Sequence, residues 1–230
     1  MIIRNWKYYD ANAEIGNLSI TKHQYMTGNI LGLVAEKKML GSGRGSLYDA
    51  RTYTFPVRMK LVDRYDGKNY SKVEEQVYKA IDKLELEGCR CIISSGGNLG
   101  LFDDVFHKSE LIALSSPLVI MDFVLASIPK SKKVCIVTDL DAPDVRRIMQ
   151  SLNLDVYVSR CIIASPYLKE YHSVQDGTSV LDGNIGAYIW DYPNDIGQTS
   201  ISRDIPIYDT KKLSLLMGMT SAQKPYAGFV

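Results

Sequence analysis

The sequence has 230 residues, enough for one large α/β domain or for two smaller lobes that share a cleft. Its 27 lysine and arginine residues nearly balance its 26 aspartate and glutamate residues, so no global field would attract nucleic acid or an anionic membrane. The N-terminus lacks the apolar core of a secretory signal, and no later apolar run approaches the roughly 20 residues of a membrane span. These features predict a cytoplasmic protein whose partner is neither nucleic acid nor a membrane.

The first quarter of the chain predicts two strands separated by a glycine-rich segment. Residues 29–35, NILGLVA, form an apolar run, and residues 52–62, TYTFPVRMKLV, alternate around Pro56 as an edge or kinked strand would. The glycines within 41–45 lack the spacing of a phosphate-binding loop or a dinucleotide fingerprint, so a lid or a plain loop is expected. The aromatic residues within 6–9 predict an edge strand or an arm on a partner subunit, which leaves a homodimer open.

The clearest predicted helix covers residues 71–87. Ser71 and Glu74 have the spacing of a capping box at its start, and Gly88 supplies a stop at its end. Apolar residues recur every three or four positions, as in a helix that packs one face on a sheet. They are Val73, Val77, Ala80, Ile81 and Leu84. An amphipathic helix between two strands of a parallel sheet is therefore expected.

A glycine-rich turn follows the next predicted strand, Cys89–Ser94. The turn residues are Ser95, Gly96, Gly97 and Asn98. Because they would begin a helix, their successive backbone N–H groups are expected to form an anion pocket that a ligand can approach closely. The order helix, strand, turn, helix predicts a parallel sheet whose ligand crevice lies at the carboxyl ends of its strands.

The second half of the chain repeats this pattern. Strands are predicted over residues 133–138, 155–164 and 185–190, with a helix over 142–152 that has Pro143 in its first turn. The turn GGN after CIISS and the turn YPN after AYIWD each place an asparagine at a similar distance past a strand. This weak internal repeat predicts two similar lobes that face each other across one cleft.

Neither the cysteines nor the acidic residues predict a metal site. Cys89 and Cys91 alternate on one predicted strand, and Cys135 and Cys161 lie in apolar runs of core strands, so all four are expected to be buried structural thiols. The cysteines and histidines lack the spacing of zinc ligands. The acidic pair within 139–141 has no further ligand beside it, so solvated carboxylates are expected, with no metal.

Five collinear blocks carry a family resemblance between about residue 28 and residue 217. They read GSLYDARTYTFPVR, LEGCRCIISSGGNLGLFDD, LSSPLVIMDFVLASIPKSKKVCIVTDLDAP, IGAYIWDYPND and DIPIYDTKKL. In order and spacing they resemble the aspartate/glutamate racemase superfamily, in particular its uncharacterised branch. The resemblance implies an α/β fold of two pseudo-symmetric lobes, each with a short parallel sheet flanked by helices, around an active site that needs no cofactor. The expected lobes are 1–115, with 205–230 crossing back to it, and 116–204.

The resemblance also implies where the chemistry lies. Family racemases are expected to place one cysteine on each of two turns, so that one thiolate removes an α-proton and the other thiol returns a proton. These positions align with Gly96 and Tyr192, so both thiols are absent here. Asn194 matches a substrate-orienting asparagine, and Thr138 and Asp139 match positions near the substrate.

Loss of both thiols changes the expected reaction. Gly96 offers no proton donor, so two-base racemisation is not expected unless another segment fills in. In the other lobe, Asp191 and Tyr192 offer a base and a phenolic donor. The expected function is a cofactor-independent isomerase or lyase that acts on a small carboxylic acid or amino acid by one-sided proton transfer. The alternative is an inactive pseudoenzyme that binds a small acid or regulates an active relative.

Each of these residues also has a purely structural interpretation. Gly96 and Gly97 could form only a tight turn, and Asp191 could cap a helix that begins after the following proline. Tyr192 could fill space as aromatic residues often do, and Thr138 suits an ordinary turn at a strand end. A nucleotide-binding domain has weaker support, because strand and helix order alone does not define function.

Overall fold

The computed structural model describes residues 16–20, 31–37, 57–165, 171–180, 184–191, 205–210 and 212. These residues form two mainly parallel β-sheets with helices. The first sheet contains β1 (Gly16–Ile20), β2 (Leu31–Glu36), β3 (Val57–Val62), β4 (Cys91–Ser94) and β5 (Ile112–Leu114). The second contains β6 (Lys133–Val137), β7 (Cys161–Ala164), β8 (Tyr171–Ser173), β9 (Ser179–Val180), β10 (Ile185–Trp190) and β11 (Ile207–Asp209).

Helices connect several of these strands. The α-helices are α1 (Tyr70–Leu86), α2 (Asp103–Phe106), α3 (Met121–Ser127) and α4 (Ala142–Ser151). Short 3-10 helices cover Gly97–Phe102, Pro117–Ile120 and Asp155–Arg160. None of the helices within the described ranges is long and apolar enough to cross a membrane.

The parallel strands follow the same order in both sheets. The first sheet has the order β1-β3-β2-β4-β5, and the second has the order β11-β10-β6-β7-β8-β9. In each, the first parallel strand along the chain, β2 or β6, lies between the second and the third. A backbone hydrogen bond repeats as well, because Ser95 N–H donates to Val34 O at 2.9 Å and Asp191 N–H donates to Val137 O at 2.9 Å. The predicted α/β fold with two pseudo-symmetric halves is confirmed.

Burial on both faces explains the continuous apolar sequences of the central strands. All six residues of β2 are buried, as are all four of β4 and all four of β7. Such strands read as continuous apolar runs because helices or loops cover both faces of a parallel sheet. The burial of Glu36 at the end of β2 is therefore an exception that needs a chemical explanation.

The predicted stripe of α1 is confirmed, but its predicted capping box is wrong. The five predicted apolar positions are buried, together with Gln76, which hydrogen-bonds to the backbone and side chain of Asp63 beyond β3. The helix is capped at Asn69 without a side-chain cap hydrogen bond, so Ser71 lies inside the first turn. Gly88 has a φ of +79°, the left-handed conformation expected of a glycine stop.

Three predicted elements differ from the observed ones. The predicted strand over 155–164 is a 3-10 helix over its first six residues, and only its last four form β7. Its DVYVSR segment alternates like a strand, but local hydrogen bonds such as Tyr157 N–H to Leu154 O form instead, and Val158 is the one buried residue of the segment. The strand predicted from Cys89 begins at Cys91. The glycine turn opens a 3-10 helix instead of an α-helix.

Two expectations about chain organisation also change. β3 lies between β1 and β2, so it is an interior strand of the first sheet, while Pro56 itself lies outside the described residues. β11 pairs with β10 in parallel, so the chain is still part of the second sheet at Asp209, beyond residue 204 where that lobe was expected to end. The segments 6–9 and 41–45 lie outside the described residues.

Candidate functional site

The carboxyl ends of the two parallel sheets face each other. Arg64, two residues past β3, forms an ion pair with Asp139, two residues past β6. Gly97, past β4, donates its N–H to both carboxylate oxygens of Asp191, which directly follows β10, at 3.3 Å each. Because these contacts join strand ends of different sheets, they bring Arg64, Gly97, Asp139 and Asp191 between the two sheets.

The glycine turn is held by hydrogen bonds within the chain. Ser95 N–H donates to the backbone of β2, Gly96 N–H donates to Ser94 Oγ at 3.0 Å, and Gly97 N–H donates to Asp191. The Ser94 hydroxyl donates in turn to the Ser115 carbonyl past β5. An external anion would have to displace Asp191 from Gly97, so the predicted anion pocket holds a carboxylate of the chain itself.

Gly96 occupies a position where no other residue fits. Its φ of +82° and ψ of −157° lie in a region that is essentially restricted to glycine. A Cβ added there would lie 2.7 Å from Asp191 Oδ1, far inside van der Waals contact. The position that the resemblance aligns with the first family cysteine is therefore closed to any side chain while Asp191 keeps this placement.

Asp191 is a buried hydrogen-bond acceptor between the sheets. Only 5% of the surface of Asp191 is exposed to solvent. Besides the Gly97 amide, the hydroxyl of Thr210 donates to its Oδ1 at 3.1 Å, and Thr210 directly follows β11. Both of these groups donate a hydrogen bond to Asp191. The alternative interpretation of Asp191 as a helix cap concerns residues beyond 191, which lie outside the described residues.

Glu36 is the site residue that the sequence interpretation missed. It ends β2, it is 0% exposed, and neither carboxylate oxygen has a hydrogen-bond partner among the described residues. The nearest cation is Arg64, whose Nε lies 4.0 Å from Oε2. Burial raises the pKa of Glu36 to about 7, with Asp139 and Asp191 adding to the rise and Arg64 and the Asn98 amide opposing it. A charged residue closing an apolar strand was the signal available in the sequence.

The remaining predicted residues that the structure describes lie at the same edges. Thr138 is buried, and its Oγ1 accepts the N–H of Leu140, which is the turn chemistry considered above. Ser95 is buried with no partner for its hydroxyl in the described part of the chain. Asn98 donates its side-chain amide to the Tyr65 carbonyl at 3.3 Å. Tyr192 and Asn194 lie outside the described residues.

A cavity of about 520 Å³ lies beside the second sheet. It lies where β6 and β7 end, and its polar lining includes Thr138, Asp139, Ser165 and His172. Asp141, at its rim, accepts the Asp144 N–H at 2.8 Å as the cap of α4. Within the described ranges, no group of three or more histidine, cysteine or acidic side chains could hold a metal ion.

All four cysteines are buried, and none lies on the two turns. Burial raises the pKa of the Cys89 and Cys161 thiols to about 12 and raises that of Cys135 further. Because the thiolate is the reactive form, we expect Ellman's reagent to leave the native protein at pH 8 at least about 100-fold less modified than the protein in guanidinium chloride. A thiol that reacts rapidly in the native state would contradict this structure of the cleft.

The fold has counterparts among solved structures. An aspartate racemase homologue from Pyrococcus horikoshii OT3 has a TM-score of 0.52 and 9% identity, covering 85% of this chain and 100% of that one. Allantoin racemase from Klebsiella pneumoniae has a TM-score of 0.50 and 8% identity, covering 87% and 96%. A glycine-to-cysteine mutant of arylmalonate decarboxylase, in a sulfate-associated form, has a TM-score of 0.50 and 11% identity, covering 84% and 93%. No protein-family model and no curated protein matches the chain.

These similarities establish the architecture. At identities near 10% they define a racemase-like α/β fold, as the resemblance implied. Such similarity does not define the reaction, which depends on the residues of the site.

Proposed function

We propose that this chain is a cofactor-independent isomerase or lyase that acts on a small carboxylic acid or amino acid. The substrate would bind where the carboxyl ends of the two sheets meet, and it would receive a proton from one side only. The observation that carries the proposal is the convergence of Arg64, Asp139 and Asp191 there, with every cysteine buried on or beside a strand instead.

The roles of the residues follow from their chemistry. Arg64 carries the planar, permanently charged group that best matches a carboxylate, and a substrate acid would compete with Asp139 for it. Asp191 is the proposed base, with Tyr192 as a neighbouring phenolic donor. Thr138 and Asn194 are proposed to orient the substrate. Absence of a thiol at Gly96 and at Tyr192 argues against a two-thiol racemase.

Solvent exchange tests the proposal directly. The purified protein is incubated in deuterated water with aspartate, glutamate, phenylmalonate and allantoin, chosen partly from the names of the similar structures. Deuterium incorporation or product formation is followed by proton NMR. At least one compound is expected to exchange, and Asp191→Asn is expected to slow exchange about 100-fold or more, since a positioned general base contributes about 10²–10⁴-fold.

Asp82→Asn provides the matched control. It makes the same chemical change on the exposed face of α1 and is expected to exchange at the wild-type rate. Thermal unfolding of both variants separates loss of the base from loss of the fold. Equal rates for wild type and Asp191→Asn would remove Asp191 from the mechanism, and no exchange across the panel would remove the support for an enzyme.

A second candidate function is supported by the hydrogen bonds of Asp191. Its carboxylate already accepts hydrogen bonds from Gly97 and Thr210, which gives it a structural role. Without Asp191 as a base, the chain could bind small acids and leave them unconverted. Such a pseudoenzyme would be stabilised against unfolding by a panel compound without any exchange. The same stabilisation would persist in Asp191→Asn and Tyr192→Phe.

A further inference from the structure

We propose that Glu36, in place of the phenol of Tyr192, is the proton donor of this cleft and that it works with the carboxylate of Asp191 from the opposite sheet. The inference rests on the proposed function and supplies the donor that Gly96 lacks. Glu36 belongs to β2, the strand next to β4, so it reaches the site from a different segment than the glycine turn.

The surroundings of Glu36 favour a neutral carboxylic acid. The side chain is fully buried, and both oxygens are without hydrogen-bond donors in the described part of the chain. Desolvation disfavours an ionised carboxylate in that position. The protonated group keeps an O–H bond that can be donated, and nothing among the described residues already uses it.

The charged and polar groups that face Glu36 come from four segments. Arg64 past β3 and the amide of Asn98 favour the ionised form, whereas Asp139 past β6 and Asp191 past β10 disfavour it. Burial outweighs all of these, and the pKa rises to about 7. Asp191 has the opposite environment, because it accepts hydrogen bonds from an N–H and an O–H group. A buried carboxyl group without hydrogen-bond partners in the part of the chain that the structure describes, together with a carboxylate that accepts two, gives the two different environments that an acid and a base need.

The proton transfer can be written with these two groups. Asp191 accepts a proton from the substrate carbon next to a carboxyl group, and the electrons of the C–H bond remain on the substrate as an enolate. The O–H bond of Glu36 then breaks, and its proton forms a new C–H bond on the substrate. Asp191 ends protonated and Glu36 ends ionised, and proton exchange with water restores both. The substrate therefore receives its proton from the Glu36 side, and Glu36 is the residue from another segment that a transfer between two faces requires.

The first test needs no substrate. Carbon NMR of protein labelled at the glutamate side-chain carboxyl, with the Glu36 signal assigned by its loss in Glu36→Gln, is expected to show a titration midpoint near 7. Asp191→Asn is expected to lower that midpoint, since it removes a nearby negative charge. A midpoint at the ordinary glutamate value, about 4.3, would overturn the role of Glu36 whatever the protein does.

The second test uses the panel compound that exchanges in the wild type. Glu36→Gln is expected to lower turnover about 100-fold or more with little change in KM, whereas the exposed Glu110→Gln is expected to behave as wild type. Wild-type turnover in Glu36→Gln would overturn the inference and leave the proposed function standing. Absence of exchange in the wild type would overturn the proposed function and the catalytic role together, while the NMR midpoint would still report the buried acid.

Discussion

Glu36→Gln is expected to stabilise the protein at pH 8 and to leave its stability nearly unchanged at pH 4. The folded state raises the pKa of this carboxyl group from 4.5 to about 7. Because one pKa unit corresponds to about 1.4 kcal/mol, the ionised group costs the folded protein about 3 kcal/mol above pH 7. Glutamine has nearly the same shape and no charge, so it removes that cost.

The direction of the pH dependence follows from proton uptake. Between pH 4.5 and about 7 the folded state holds the Glu36 proton that the unfolded chain has already released. The free energy of unfolding therefore falls as the pH rises through this window. In Glu36→Gln that contribution disappears, so the variant and the wild type diverge progressively with increasing pH.

Urea unfolding at a series of pH values measures this difference. Subtracting the two profiles cancels the titration of every other group to the extent that Glu36 does not affect it. The exposed Glu110→Gln variant serves as the control, and its profile is expected to follow the wild type throughout. Parallel profiles for wild type and Glu36→Gln from pH 4 to pH 8 would show that Glu36 titrates normally in the folded protein.

Gly96→Ala is expected to lose about 3 kcal/mol or more of folding free energy, from a glycine-only backbone conformation and a clash. The added Cβ would lie 2.7 Å from Asp191 Oδ1, and the φ at this residue is +82°. Gly96→Cys is expected to be at least as destabilising. Restoring the thiol that the family resemblance places here would therefore require Asp191 to move.

Gly88→Ala separates the two causes. Gly88 also has a positive φ, +79°, but an added Cβ would meet nothing within 4 Å, so only the conformational cost of about 1 kcal/mol is expected. The excess at Gly96 contains its rarer backbone conformation as well as the contact with Asp191, so removal of the Asp191 side chain isolates the contact. In a double-mutant cycle, Asp191→Ala is expected to recover roughly 1–2 kcal/mol of the Gly96→Ala loss. Equal losses at Gly88 and Gly96, with no coupling to Asp191, would contradict the observed contact.

Local patterns in the sequence determined the central strands and the two longest helices. The apolar stripe of α1, the stop at Gly88 and the strand ending at Trp190 all appear as expected, because helix and strand periodicity depends on neighbours within a few residues. The strand prediction for the DVYVSR segment was wrong because it rested on this local periodicity alone. It alternates as a strand would, yet packing of Val158 against distant residues selects a 3-10 helix.

For the site residues, the sequence predicted their positions at strand ends but not their partners. That Asp139, Asp191 and the glycine turn lie at strand ends followed from the sequence, because the ends of parallel strands converge. Their partners did not follow, since Arg64 and Asp139 are 75 residues apart and Gly97 and Asp191 are 94 apart. The acidity of Glu36 likewise depends on burial and on charges contributed by other strands. Only the tertiary structure decides such properties, because desolvation and charge coupling are set by distances in space and not along the chain.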